Sequence, residues 1–145
     1  MEREPMDTEN SGISRDRLRF FDVEDVVLED FEASGFVLDI GAGGEGVIGR
    51  LKGPRVIAID PSAEELREAV PGPLKIVMDA TDLQFLDGSF QTATSFYTLM
   101  YLVENEEQRR VFEEIYRILK AGGRFLIWDA AIPPRHGERQ DVAVF

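Results

Sequence analysis

The sequence predicts an α/β fold built on a doubly wound, mainly parallel sheet. Three observations predict it. Five short apolar runs alternate with segments of helical periodicity between residues 36 and 132. The leading run is continuously apolar rather than alternating with polar residues, as a strand covered on both faces requires. That same run leads into a glycine-rich loop, at the place where such sheets bind ligands.

Residues 1–14 are polar, with Pro5, Asn10 and Gly12, and are expected to form a flexible tail ahead of one domain spanning 15–145. In "SRDRLRFFDVEDVVLEDFEASG" (14–35), Phe20, Val23, Val27 and Phe31 recur at helical spacing and Gly35 stops the run. This predicts an amphipathic helix, in one piece or two. "FVLDI" (36–40) is the first strand, and "EGVIGRL" (45–51) begins a helix. "RVIAID" (55–60) is the second strand. "PSAEELREAV" (61–70) opens a helix with Ser62 as cap and Glu65 three residues later, a capping box. "LKIVMD" (74–79) and "SFQTATSF" (89–96) are the third and fourth strands. "ENEEQRRVFEEIYRILKAGG" (104–123) is the clearest helix. Val111, Phe112, Ile115, Ile118 and Leu119 form its buried stripe, acids crowd its start, and Gly122–Gly123 terminate it. "RFLIWDAAI" (124–132) is the fifth strand, and the chain closes on a strand-like "VAVF" (142–145).

The bulk properties narrow the function. At 145 residues the chain holds one domain with a real core. A net charge of −12 with no basic cluster opposes binding to nucleic acid. No apolar run approaches the roughly 18 residues of a membrane span, and the charged start "MEREPMDTEN" lacks a secretory apolar segment. The absence of cysteine excludes disulfides, thiolate zinc sites and a cysteine nucleophile, and fits a cytoplasmic location.

"GAGGEG" (41–46) fits the dinucleotide pattern G-x-G-x-x-G with glycines at 41, 43 and 46. Gly41 and Gly43 remove side chains, so that a ligand can approach the main chain. Asp60 ends the second strand 19 residues after Gly41, where a carboxylate can accept from both hydroxyls of a ribose. A nicotinamide enzyme accommodates this much. Three features turn the reading elsewhere. Asp39, two residues before the first glycine, would crowd a pyrophosphate but suits a cation or an ammonium group. Asp79 and the amide of Ala80 can bind the edge of an adenine. The chain has no room for a separate substrate domain.

Asp39-Ile-Gly41-Ala-Gly43, Asp60, Asp79-Ala80, "LDGSF" (86–90) and "IYRILKAGGRFLI" (115–127) resemble the successive motifs of the class I S-adenosylmethionine-dependent methyltransferases, in order and spacing. The resemblance runs from about Phe36 to Asp129. It implies a Rossmann-like sheet of central order 3-2-1-4-5, lacking the usual last one or two strands, and transfer of a methyl group by in-line displacement. It further implies that Asp39, Gly41, Ala42 and Gly43 surround the methionine part of S-adenosylmethionine. Asp60 would hold the ribose with Pro61 beside the adenine, Asp79 and Ala80 would bind the adenine edge, and Ser95 and Phe96 would lie near the sulfonium. The product would be S-adenosylhomocysteine. The sequence departs from the family at Glu45, where a third glycine is common, at Gln91, where an Asp is usual, and at Met100 and Tyr101, where many relatives carry histidines.

Such a transfer needs positioning and exclusion of water more than a dedicated side chain, and no catalytic residue is assigned. His136, in the polar loop "PPRHGER", is read as a solvated residue. Tyr97 and Tyr101 lie near the expected substrate approach but are read as packing, and Trp128 as core or edge cover. Phe20 and Phe21 are read either as a lid or as an ordinary helix face. Glu104, Glu106 and Glu107 complement a helix dipole, and no metal is assigned. The expected partner is a small-molecule methyl acceptor, not nucleic acid or a membrane. The open edge of the fifth strand is a liability, so residues 141–145 are expected to pair with the sheet or with a second copy as a homodimer. The alternatives are a non-catalytic S-adenosylmethionine- or nucleoside-binding domain, a truncated methyltransferase, and, further off, an NAD-dependent oxidoreductase.

Overall fold

All four side chains of β1 (Val37–Ile40) are buried, as only a strand with neighbours on both edges and cover on both faces allows. β2 (Val56–Asp60) pairs on one side of it and β4 (Phe90–Phe96) on the other. β3 (Leu74–Val77) extends the sheet past β2, and β5 (Leu119–Trp128) extends it past β4. Every pairing is parallel, and the order is β3-β2-β1-β4-β5, as the sequence predicts. This computed structural model describes residues 27–102 and 104–129. The predicted tail, Phe20, Phe21, His136 and the terminal 141–145 lie outside the described residues. No helix among the described residues is long and apolar enough to cross a membrane.

Three helices connect the strands: α1 (Val47–Lys52), α2 (Ala63–Glu68) and α3 (Asn105–Ile118). α3 buries Val111, Ile115 and Ile118 against Leu38, Ile40, Ile59, Leu83, Phe90 and Ala93. Full burial of each such aliphatic chain contributes on the order of 1.5–3 kcal/mol, which holds α3 to the sheet.

A second fastening joins the two motifs that carry the family resemblance. Arg117 on α3 makes a bidentate pair with Glu114, with both contacts at 2.8 Å. It also donates to Asp87 at 2.7 Å and to the carbonyls of Leu83 and Phe85 at 2.7 and 2.8 Å. Glu114 in turn accepts from the Leu83 amide at 2.7 Å. The guanidinium holds the Glu114 carboxyl below the usual carboxylate range. "LDGSF" and "IYRILK" are therefore two halves of one structural clamp. Gln91, the departure from the usual Asp, donates to the Gly122 carbonyl at 3.0 Å.

The structure corrects three local expectations. The predicted helix does not run through 27–34, which carry no regular structure. The carbonyls of Phe31, Glu32, Ala33 and Gly35 accept from Lys52, Arg124 and Arg55, so they face side-chain cations rather than amides of a following turn. Phe31 instead packs on Trp128, with ring centroids 5.8 Å apart, and lies under Lys52 Nζ. The second correction concerns the end of α3. It stops at Ile118, and Leu119 already pairs with Phe90. A register irregularity before Thr92 takes up the turn at Gly122, whose φ is 73°. Phe112, predicted to be buried, is 44% exposed and meets the edge of Phe125. Third, only half of the capping box forms. Ser62 Oγ accepts from the Glu65 amide at 3.2 Å, but the Ser62 amide donates to Asp60 and the Glu65 carboxylate goes elsewhere.

Candidate functional site

The direction of strand addition reverses at β1, so the chain leaves β1 and β4 toward opposite sides and opens a cleft at their carboxyl ends. A cavity of about 680 Å³ lies there. That volume falls within the roughly 300–1,000 Å³ of small-molecule sites.

The glycine loop forms its floor. Gly41, Gly43 and Gly46 have φ of 63°, 56° and 56°, a region that side-chain-bearing residues enter at a cost. The G-x-G-x-x-G spacing is thus a backbone requirement, and Gly46 serves as the cap of α1. Glu45, the residue that gives the loop its dinucleotide look, contributes its carbonyl to Arg50 Nε at 3.0 Å. Thr98, just after β4, donates to the Gly41 carbonyl at 2.9 Å. A Cβ added at Gly41 would stand 2.1 Å from the Thr98 methyl, so the contact demands glycine.

Carboxylates hold the loop from the other side. Asp60 Oδ2 accepts from the Gly43 amide at 3.1 Å, and its Oδ1 from the Ser62 amide at 2.8 Å. Glu65 accepts from the Gly44 amide at 2.7 Å. Asp79 caps its own turn, its Oδ1 accepting from the amide and hydroxyl of Thr81 at 2.8 and 2.7 Å. Asp39 is 2% exposed and accepts from Thr94 Oγ1 at 2.8 Å. Burial pushes its pKa up to about 7, against the opposing pull of that hydrogen bond.

Asp39, Gly41, Ala42, Gly43, Asp60, Pro61, Asp79, Ala80 and Phe96 all line this cavity, as do Tyr97, Met100 and Tyr101. Ser95 does not. It is fully buried in β4, and its Oγ has no hydrogen-bond partner among the described residues. Sequence reasoning missed Thr98, Glu65, Leu99, Leu102, Glu107 and Val111 as parts of the cavity wall. Glu107 and Val111 were legible only as helix-start acid and helix core. Nothing in the sequence marked Thr98.

Among the described residues, six carboxylates line the cavity, from Asp39, Glu45, Asp60, Glu65, Asp79 and Glu107, and no Lys, Arg or His does. The site is therefore suited to a cationic or neutral ligand and opposes a polyanion. Among the described residues no group of three or more His, Asp or Glu is placed to hold a metal ion.

A family model described as a methyltransferase domain matches residues 38–127. A demethylmenaquinone methyltransferase of Clavibacter sepedonicus is 43% identical over 56 residues, which cover 39% of this chain and 22% of that protein. Among solved structures, an SAM-dependent methyltransferase of Methanosarcina mazei superposes with a TM-score of 0.60 at 28% identity, over 66% of this chain and 53% of that one. An S-adenosylmethionine-dependent methyltransferase of Mesorhizobium loti gives 0.56 at 28% identity, over 66% and 47%. The chain thus spans about half the length of these solved structures and about a fifth of the curated relative.

Proposed function

The chain belongs to the methyltransferase domain family, and from that premise we propose that its cavity binds S-adenosylmethionine and that the protein transfers the methyl group to a small-molecule acceptor. One observation carries the choice of cofactor. The amides of Gly43 and Gly44, which a dinucleotide pyrophosphate would need, are taken by the carboxylates of Asp60 and Glu65. A phosphate approaching this loop meets negative charge instead of free N–H groups.

The residues present fit the proposed cofactor, which carries a net positive charge. Asp60 spends one lone pair of Oδ2 on the Gly43 amide and one of Oδ1 on the Ser62 amide, and keeps the others for the two ribose hydroxyls. Asp79, with Oδ1 fixed by Thr81, holds its carboxylate at the cavity wall for the exocyclic amine of an adenine. Asp39, at the end of β1, offers its carboxylate to an ammonium group. Held by Asp39, Asp60 and Asp79, S-adenosylmethionine would supply an electrophilic methyl to an acceptor lone pair, the sulfur keeping the electron pair of its S–C bond and the acceptor giving up a proton to solvent. The protein's share is to orient the reactants and exclude water.

Calorimetry with S-adenosylhomocysteine and with NAD tests this reading. Micromolar binding of the first and none of the second is expected. NAD binding with no response to S-adenosylhomocysteine would overturn it. Binding without methyl transfer to any acceptor would instead favour a binding-only domain.

A further inference from the structure

One wall of the cavity is a short turn, Tyr97–Leu102, including the 3-10 turn Leu99–Tyr101. It is tied down at four points. The Tyr97 amide donates to the Trp128 carbonyl at 2.7 Å. Thr98 is tied to Gly41, as described above. The Met100 amide donates to Asp129 at 3.2 Å, and Gln108 donates to the Leu102 carbonyl at 2.6 Å. A wall fixed this way meets its ligand preformed rather than by ordering a loop.

Tyr97 itself stands out. With φ of 51° it is the one non-glycine residue at positive φ among the described residues. A bulky side chain there costs on the order of 1–3 kcal/mol, and such strain tends to persist at ligand sites. The strain turns Tyr97 out of the register of β4 and onto the cavity wall, where its ring meets Phe96 edge-on at 4.9 Å. Its hydroxyl has no hydrogen-bond partner among the described residues. Leu99, Met100, Leu102 and Val111 complete an apolar surface beside it.

An apolar, aromatic wall thus borders a cavity whose lining carries six carboxylates and, among the described residues, no Lys, Arg or His. We propose that Tyr97 positions the methyl acceptor on this wall, and that the acceptor is a flat apolar molecule that is uncharged or cationic, anionic molecules being turned away by the carboxylates of the cavity lining. The proposal rests on the cofactor reading above. The aromatic ring supplies a stacking surface, and the hydroxyl orients a polar group of the acceptor. A cationic acceptor gains further from the ring face.

A fragment screen on the full chain saturated with S-adenosylhomocysteine tests it, using matched uncharged, cationic and carboxylated aromatic fragments and ligand-observed NMR. The uncharged and cationic members are expected to bind, with their carboxylated twins weaker by about tenfold or more. Tyr97→Ala should weaken the bound fragments by about tenfold while the S-adenosylhomocysteine affinity moves less than about threefold, which also reports that the variant folds. Tyr97→Phe should retain the apolar fragments and lose those that need the hydroxyl. Equal binding of carboxylated twins, unchanged fragment binding to Tyr97→Ala, or no fragment binding at all would overturn the proposal while leaving the cofactor reading intact. Failure of S-adenosylhomocysteine itself to bind would overturn both.

Discussion

Thr98 and Gly41 interlock at the floor of the cavity. The Thr98 hydroxyl donates to the Gly41 carbonyl at 2.9 Å, and its methyl lies 2.1 Å from where a Gly41 Cβ would stand. The end of β4 is thereby latched to the loop after β1, across 57 residues of sequence. Gly41→Ala is expected to destabilise the protein by about 2–4 kcal/mol, combining the left-handed backbone penalty with overpacking. It should also weaken binding of S-adenosylhomocysteine. Thr98→Ala removes the two nearest clashing atoms, the methyl and the hydroxyl oxygen at 2.1 and 2.4 Å, and in the double variant should return about 1 kcal/mol of the loss. Denaturant unfolding of the two single variants and the double variant checks this. Simple additivity would mean that the contact is not what demands glycine.

Asp60 both ties down the glycine loop and faces the cavity. Asp60→Asn removes the charge that strengthens its hydrogen bonds, which are worth roughly 1.5–3 kcal/mol each when one partner is ionised. S-adenosylhomocysteine affinity should fall by about 10- to 100-fold. Calorimetry reads the change, and an unaltered Kd would remove Asp60 from the site.

Asp39 makes stability depend on pH. Its carboxyl is raised in the fold to about 7, from an ordinary value of 3.8. A raised folded value means that the stability is fully present below the unfolded value and is lost as pH rises through the folded one. In the absence of ligand, the Asp39 contribution should therefore decline between about pH 4 and pH 7. Asp39→Asn keeps an acceptor for Thr94 and cannot ionise. Its melting temperature should match the parent near pH 4 and exceed it above pH 7. Parallel melting curves across that range would contradict the buried carboxylate.

Arg117 should be structural rather than ligand-binding. Its partners Glu114, Asp87 and the carbonyls of Leu83 and Phe85 do not line the cavity. Arg117→Ala is expected to lower the melting temperature by several degrees, while the variant that remains folded binds S-adenosylhomocysteine with the parent affinity. A loss of affinity in folded protein would place the clamp in the site's own machinery.

The inner strands were legible because burial on two faces writes a largely apolar run into the sequence, as in Val37–Ile40, where Asp39 alone is polar. The glycine loop was legible because three positive-φ positions admit little else, and the acids at 39, 60 and 79 because they stand at or just beside the carboxyl ends of strands that converge on one place. The helix expected over 27–34 was misread for a reason that periodicity cannot carry. Val27 and Phe31 keep helical spacing, but the fold supplies Lys52, Arg55 and Arg124 to take the backbone carbonyls.

By itself, then, the sequence determined what local spacing encodes: which segments are strands, where the chain must be glycine, and which carboxylates stand near the strand ends. Only the tertiary structure decided which distant groups meet. It sent Glu65 to the Gly44 amide instead of back to its own cap, set Thr98 against Gly41, and turned Tyr97 onto the cavity wall. The physical reason is one of range. A helix or strand preference is settled between residues a few positions apart. A hydrogen bond across 21 or 57 residues exists only once the parallel sheet has brought its strand ends together.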